Sequence, residues 1–134
     1  MPERLILVLI LVSLGAAAFL AVRAFHLRRV AQRIPHDPLL RDLPRGAKTI
    51  VYFTTPHCVP CKTQQQPALR RLQRELGERL HVIQVDATQD ADAAQRWGVM
   101  TAPTTFVLAE DGRPLYVNYG FADEQTLKRQ LSIA

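Results

Sequence analysis

At 134 residues the chain has room for one domain, and its 48% hydrophobic and 22% charged content suits a globular protein with an added apolar segment. The net charge of +5 is uneven, because residues 1–45 hold seven Lys and Arg against three Asp and Glu, whereas residues 46–134 hold ten against nine. The C-terminal part therefore has no basic excess to neutralise phosphates, and we expect no nucleic-acid partner.

The N-terminus carries an apolar run. Residues 5–22 are 18 residues without a charge, which is the lower limit for a helix that crosses about 30 Å of hydrocarbon. A cleaved signal peptide is the alternative, with Ala16-Ala17-Ala18 as a small-residue cleavage site. Because the run continues past these alanines and little positive charge precedes it, we favour a retained anchor over residues 1–22, with its span at 5–22.

Residues 23–45 are predicted to form a basic, proline-containing linker. Its first part can extend the membrane helix, and from Ile34 onward the prolines favour an extended or a single packed segment. Arg23, Arg28, Arg29 and Arg33 follow the span, so the positive-inside rule places the C-terminal side in the cytoplasm, with the extracytoplasmic side as the alternative. These arginines suit either anionic lipid headgroups or a solvated basic surface.

Residues 46–134 alternate between strand and helix patterns. The predicted elements are strands at 48–54, 79–86, 104–109 and 114–119, and helices at 58–76, at 90–97 and after Asp123. Pro67 predicts a kink in the first of these helices, and Leu127, Leu131 and Ile133 give the last one an apolar face. The order βαβαββα predicts an α/β fold, a mixed central sheet flanked by helices.

The two cysteines of the chain lie where the first strand of this domain meets its helix, as Cys58-Val59-Pro60-Cys61. A helix N-terminus favours an anion and lowers the pKa of a thiol there, and a thiolate is the attacking species in thiol–disulfide exchange. We therefore predict Cys58 as the more exposed nucleophile and Cys61 as the buried resolving thiol, joined in the oxidised form by a redox disulfide.

Two other uses of the cysteine pair are possible. A purely structural disulfide over so short a loop removes little chain entropy. Structural zinc needs four ligands, and beyond the two cysteines only His57 and His81 are candidates. We expect no metal and no organic cofactor.

The strand before Cys58-Val59-Pro60-Cys61-Lys62, the later Val85-Asp86 and the segment Gly98-Val99-Met100-Thr101-Ala102-Pro103-Thr104 together resemble thioredoxin. The resemblance covers roughly residues 46–134. It implies a thioredoxin-like fold for this part of the chain, which follows the transmembrane helix predicted from residues 5–22, and a monomeric thiol–disulfide oxidoreductase. Its partners would be protein dithiols or disulfides and another dithiol protein as redox partner.

The resemblance also implies site residues around the cysteines. Pro103 would be a cis-proline facing them, and the backbone of Ala102 would pair with an extended substrate segment. His57, Val59 and Pro60 would lie beside the reactive sulfur.

The chain departs from the family pattern at several positions. His57 replaces the usual tryptophan, Tyr52 the usual buried acid, and Val82 the lysine that accompanies that acid. These changes concern proton transfer, and they leave a non-catalytic, membrane-tethered adaptor for extended protein segments as the alternative function. We interpret Tyr52 as a packed aromatic, Trp97 as a core residue at a helix end, and Gln64-Gln65-Gln66 as an exposed helix face.

Overall fold

The computed structural model describes residues 1–44 and 46–131. Within them lies a four-stranded sheet of order β2-β1-β3-β4, in which β1 pairs with β2 in parallel and with β3 antiparallel, and β3 pairs with β4 antiparallel. The strands are β1 (Lys48–Thr54), β2 (Leu80–Asp86), β3 (Thr104–Leu108) and β4 (Pro114–Tyr119). The helices are α1 (Pro2–Arg33), α2 (Gln66–Leu76), α3 (Ala91–Arg96) and α4 (Glu124–Leu131). The predicted mixed α/β sheet of order βαβαββα, preceded by an apolar helix, is confirmed.

Strand β1 is the centre of the domain because both of its faces are covered. Successive side chains of a strand point to opposite faces, so Ile50 and Tyr52 pack with α2 and α4, while Val51 and Phe53 pack with α3. On the second face Trp97 meets the rings of Phe53 and Phe106 at centroid distances of 5.9 and 4.9 Å. Trp97 is thus the predicted core residue at a helix end.

Helix α4 begins as predicted. The carboxylate of Asp123 accepts a hydrogen bond from the Thr126 amide at 2.8 Å and so caps the helix. Leu127 and Leu131 are fully buried on its apolar face, while Ile133 lies outside the described residues.

The helix after the cysteines differs from the prediction. In place of one kinked α-helix over residues 58–76, a π-turn at Cys61–Gln65 precedes α2. The Gln66 amide donates to the Cys61 carbonyl five residues back. Pro67 has no N–H and its ring would clash with the carbonyl four residues earlier, so the wider turn fits it without that clash.

Helix α1 is continuous and none of its side chains is fully buried. It runs well past the apolar stretch, so the first part of the basic segment is helical. Among the described residues this helix alone has the length and mean hydropathy, 3.0 over an 18-residue window, to cross a membrane; a signal sequence has the same properties.

The chain after α1 packs onto the domain. Two short 3₁₀ turns, Ile34–His36 and Pro38–Leu40, place Ile34 and Leu40 in the core cluster that contains Trp97. Between these turns the buried carboxylate of Asp37 accepts a hydrogen bond from Arg96 Nε at 2.9 Å and one from the Leu39 amide at 3.0 Å. Of the two expected forms of this segment, the packed one is observed.

We expect Asp37→Asn to lower the free energy of unfolding at neutral pH by about 1–3 kcal/mol, because the charged hydrogen bond to Arg96 is weakened. Burial raises the pKa of Asp37, but the hydrogen bonds from Arg96 and Leu39 outweigh burial and hold this pKa below its ordinary value. The carboxylate therefore stabilises the fold above the unfolded-state pKa of about 4, and this contribution is lost as pH falls through the folded-state value.

Denaturant unfolding of the full chain in detergent, at neutral and acidic pH, measures both effects. Asp42→Asn is the matched control, since Asp42 is exposed. Equal unfolding free energies for the two variants at pH 7 would contradict the role of Asp37.

Candidate active site at the Cys58–Cys61 disulfide

The two cysteines form a disulfide bond between the end of β1 and the first turn of the following helix, with a Cα–Cα distance of 5.2 Å. A short turn after Thr54 brings Cys58 to the helix start, where its amide donates to the Thr55 carbonyl at 3.3 Å. Cys58 is 8% exposed and Cys61 is 0% exposed. An incoming group can therefore approach the pair only from the side of Cys58.

The sulfur of Cys58 accepts a hydrogen bond from the helix backbone. The donor is the Cys61 amide, at an N–S distance of 3.2 Å. Amides in the first turn of a helix lack a carbonyl partner inside the helix and carry the positive end of its dipole. In the reduced state the same amide favours negative charge on Cys58, the condition for a nucleophilic thiolate.

Three of the predicted site residues surround the disulfide on the surface. His57, Val59 and Pro60 are all exposed, with Val59 at 67%. A charge on His57 is screened by water at this exposed position, so its electrostatic effect on Cys58 is small. Val59 and Pro60 offer an apolar contact surface next to the reactive sulfur, with His57 at its polar edge.

The Ala102–Pro103 segment lies on the same side of the core. The peptide bond between these residues is cis, Pro103 is buried, and Ala102 packs against the cluster that contains both cysteines. The Pro103 carbonyl accepts a hydrogen bond from the Gly120 amide at 2.8 Å, and the Thr104 hydroxyl donates to the Thr101 carbonyl at 2.7 Å. Strands β3 and β4 thus hold this loop against the cysteine cluster.

Met100 was not singled out from the sequence, although it precedes this loop. Its side chain is 92% exposed, which is unusual for a large apolar residue. The available signal was an unbranched apolar residue between Gly98 and Pro103, in a segment where a turn favours polar residues. Methionine is unbranched and flexible, so the exposed Met100 side chain can adapt its shape to a surface that contacts it.

Gln65 corrects a prediction. Gln64 is exposed and Gln66 half-buried as residues of a surface helix, but Gln65 is fully buried. Its side-chain amide donates to the Ala122 carbonyl and its side-chain oxygen accepts from the Ala122 amide, both at 3.0 Å. The expected exposed face is therefore wrong for Gln65, which ties the π-turn after Cys61 to the segment before α4.

Tyr52 occupies the place of the acid that the family resemblance implied. It is 1% exposed and belongs to the core cluster that holds both cysteines, as expected of a packed aromatic. Its hydroxyl has no hydrogen-bond partner among the described residues, and the residue lines a cavity of about 120 Å³. Val82, Gln84 and Arg70 line the same cavity, and no carboxylate does. The cavity beside Tyr52 therefore offers no acid to accept a proton.

No group of three or more His, Cys, Asp or Glu side chains comes together as a metal site within residues 1–44 and 46–131.

Several known proteins are similar to this chain. The thioredoxin family profile matches residues 39–132. The thioredoxin of Mycolicibacterium smegmatis is 33% identical over 104 residues, covering 75% of this chain and 91% of that protein. The thioredoxin of Bacillus subtilis strain 168 is 34% identical over 76 residues, covering 57% of this chain and 71% of that protein.

Solved structures show the same fold. Thioredoxin of Fasciola hepatica superposes with a TM-score of 0.57 at 26% identity, covering 66% of this chain and 81% of that one. A malaria parasite thioredoxin-2 superposes with a TM-score of 0.60 at 23% identity, covering 64% and 82%. With a match over most of its length and a cysteine pair at disulfide distance, the chain belongs to the thioredoxin family.

Proposed function

We propose that the chain is a membrane-tethered thiol–disulfide oxidoreductase that exchanges disulfides with protein substrates through Cys58 and Cys61. The observation that carries this proposal is the unequal placement of the two sulfurs. Cys58 is accessible and receives the Cys61 amide at 3.2 Å, whereas Cys61 is fully buried behind it. Cys58 is placed to attack a substrate disulfide, and Cys61 is placed to attack the resulting mixed disulfide and release the substrate.

In the reducing direction, the Cys58 thiolate attacks one sulfur of a substrate disulfide. A bond forms between Cys58 and that sulfur, and the other substrate sulfur leaves as a thiolate. Cys61 then loses its proton and attacks Cys58, which forms the Cys58–Cys61 disulfide and expels the second substrate thiolate. Two electrons pass from the protein dithiol to the substrate, and the same steps in reverse oxidise a substrate dithiol.

The second step requires a proton acceptor for Cys61. Tyr52 and Val82 stand where the family resemblance implied an acid and a lysine, and the cavity beside Tyr52 contains no carboxylate. We therefore assign this proton to water, with Tyr52 acting as packing. The chemistry requires no organic cofactor or metal, and a second dithiol protein restores the starting redox state.

Substrate contact is proposed at the surface formed by Val59, Pro60, Met100 and Ala102. Val59 and Met100 are exposed apolar side chains, and Ala102 is half-buried against the cysteine cluster. An extended protein segment fits this surface because it offers backbone groups to the Ala102 loop and side chains to Val59 and Met100. His57 completes the rim.

We propose that α1 anchors the domain in a membrane, with the domain in the cytoplasm. The apolar window of α1 is unburied, and four arginines follow it without an intervening acid. Labelling of intact cells with a membrane-impermeant thiol reagent after reduction tests the orientation. Protection of Cys58 until lysis is expected, and labelling before lysis would place the domain outside.

Reduction of insulin by the full chain in detergent, with a small dithiol as electron source, tests the catalytic proposal. We expect precipitation of the insulin B chain well above the rate with the small dithiol alone. A rate equal to that background would contradict catalysis. It would favour the second candidate, a tethered adaptor, for which the supporting observation is that no carboxylate lines the cavity beside Tyr52 and Val82.

A further inference from the structure

A groove lies between the C-terminal part of α1 and strand β4, far along the chain from the cysteines. It encloses about 340 Å³, with Trp97 and Phe106 among its lining residues. Its walls are largely apolar: Leu27 and Val30 from α1, Ile34 from the 3₁₀ turn that follows it, and Leu115, Val117 and Tyr119 from β4. We call it the α1–β4 groove.

The β4 wall of this groove is exposed. Leu115, Val117 and Tyr119 are 43%, 38% and 60% exposed, on a strand that forms the edge of the described sheet. A contiguous apolar patch at a sheet edge marks a surface that binds something. No carboxylate lines the groove, so it does not repel an anionic occupant.

The position of the groove along α1 indicates what occupies it. The 18 apolar residues of the span extend about 27 Å, slightly less than the 30 Å of hydrocarbon, so the boundary falls close to Arg23. The headgroup layer adds about 5–8 Å on that side. Leu27 lies about 8 Å beyond Val22 along the helix and Ile34 about 18 Å. The groove therefore begins at the headgroup level.

The charges on the domain side of the span favour the same occupant, although they do not line the groove itself. Arg23, Arg28, Arg29 and Arg33 follow the span, and no acid lies between Glu3 and Asp37. Basic residues at this level bind anionic headgroups with about 1 kcal/mol each. Arg29 lies over the ring of Phe25, with 4.3 Å from its guanidinium carbon to the centroid, which keeps an aromatic ring beside a cation at the interface. A tyrosine such as Tyr119 is typical of this layer.

The connection between α1 and the domain is packed, since Ile34 and Leu40 belong to the domain core and Asp37 pairs with Arg96. We propose that the α1–β4 groove docks on the anionic lipid headgroups of the bilayer that α1 enters; this inference depends on the proposed membrane anchoring. The headgroups occupy the open end of the groove, and the rings of β4 rest against the interface. The domain is thereby held on the membrane surface.

The single tryptophan of the chain, Trp97, lines the groove and reports on this contact without added labels. The full chain is placed in nanodiscs of brominated phosphatidylcholine, with or without brominated phosphatidylglycerol, the bromines being close to the headgroup. We expect Trp97 fluorescence to be quenched at least about twofold more in the anionic discs. The double variant Leu115→Glu/Val117→Glu should lose this difference.

Gln64→Glu/Gln73→Glu is the matched control, because it adds the same charge at two exposed positions of another helix. It should behave as the unmodified chain. If the double variant does not fold, hydrogen exchange of the β4 amides in the unmodified chain tests the docking proposal instead. Protection in anionic discs that is absent in zwitterionic discs supports docking.

Retention in the discs with equal quenching by both lipids would overturn docking and leave the anchor intact. Loss of the chain from the discs would contradict the anchor and the docking together. Protection of β4 in detergent that increases with protein concentration would assign the groove to a second copy or another protein, and would also overturn the proposal.

Discussion

Cys58→Ser is expected to lower the rate of insulin reduction to background. With Cys61→Ser, the reaction is expected to stop after the first attack, at the mixed disulfide. The difference follows from burial, since Cys58 is 8% exposed and Cys61 is 0% exposed. Serine at position 58 removes the accessible nucleophile, and a hydroxyl does not replace a thiolate at neutral pH. Serine at position 61 leaves that nucleophile in place and removes the group that expels the captured substrate.

Mass spectrometry after incubation with a disulfide peptide measures the outcome. Cys61→Ser should accumulate a covalent adduct at Cys58, and Cys58→Ser should accumulate none. Gln64→Ser controls for the substitution itself, because Gln64 is exposed one turn along the helix. Adducts on Cys61 in the Cys58→Ser variant, at a rate equal to that of Cys58, would contradict the assigned roles.

Gln65→Ala is expected to lower the free energy of unfolding by about 2–5 kcal/mol. Each buried backbone group left without a partner costs about 1–3 kcal/mol, and Gln65 satisfies both the amide and the carbonyl of Ala122. The loss also removes the connection between the π-turn after Cys61 and the segment before α4. We therefore expect it to exceed the effect of an ordinary surface substitution several-fold.

Gln64→Ala is the matched control, since it makes the same substitution one residue earlier at an exposed position. Its unfolding free energy should stay within about 0.5 kcal/mol of the unmodified chain. Denaturant unfolding in detergent measures both variants. Equal stability of Gln65→Ala and Gln64→Ala would show that the hydrogen bonds to Ala122 do not stabilise the fold.

The strands and the cysteine site were predictable because their signals are local. Lys48–Thr54 is β-branched and aromatic, and the Cys58-Val59-Pro60-Cys61 spacing depends on no distant residue. The burial of Gln65 had no such signal, because it stands between two identical residues and the π-turn decides which of them faces inward. The sequence alone predicted the local chemistry of the cysteine motif, whereas the direction of the Gln65 side chain depended on the tertiary fold.

The segment after α1 also shows that local sequence signals do not predict contacts that depend on the tertiary fold. Its prolines and charges are typical of a linker, yet Ile34 and Leu40 lie in the core because the face of the sheet that carries Phe53 and Phe106 needs to be covered. The partner of Asp37, Arg96, lies 59 residues further along the chain. A contact of that separation follows from topology and cannot be read from sequence spacing. The α1–β4 groove arises in the same way.

The reduction potential of the Cys58–Cys61 pair tests redox activity most directly. The full chain in detergent is equilibrated with glutathione or dithiothreitol buffers of defined potential, and the fraction of disulfide is measured by alkylation and mass. A redox-active pair should titrate between about −120 and −300 mV, the range of cellular thiol–disulfide couples. A value far below −300 mV would mean that the disulfide stays closed in the cell and serves structure or binding rather than exchange.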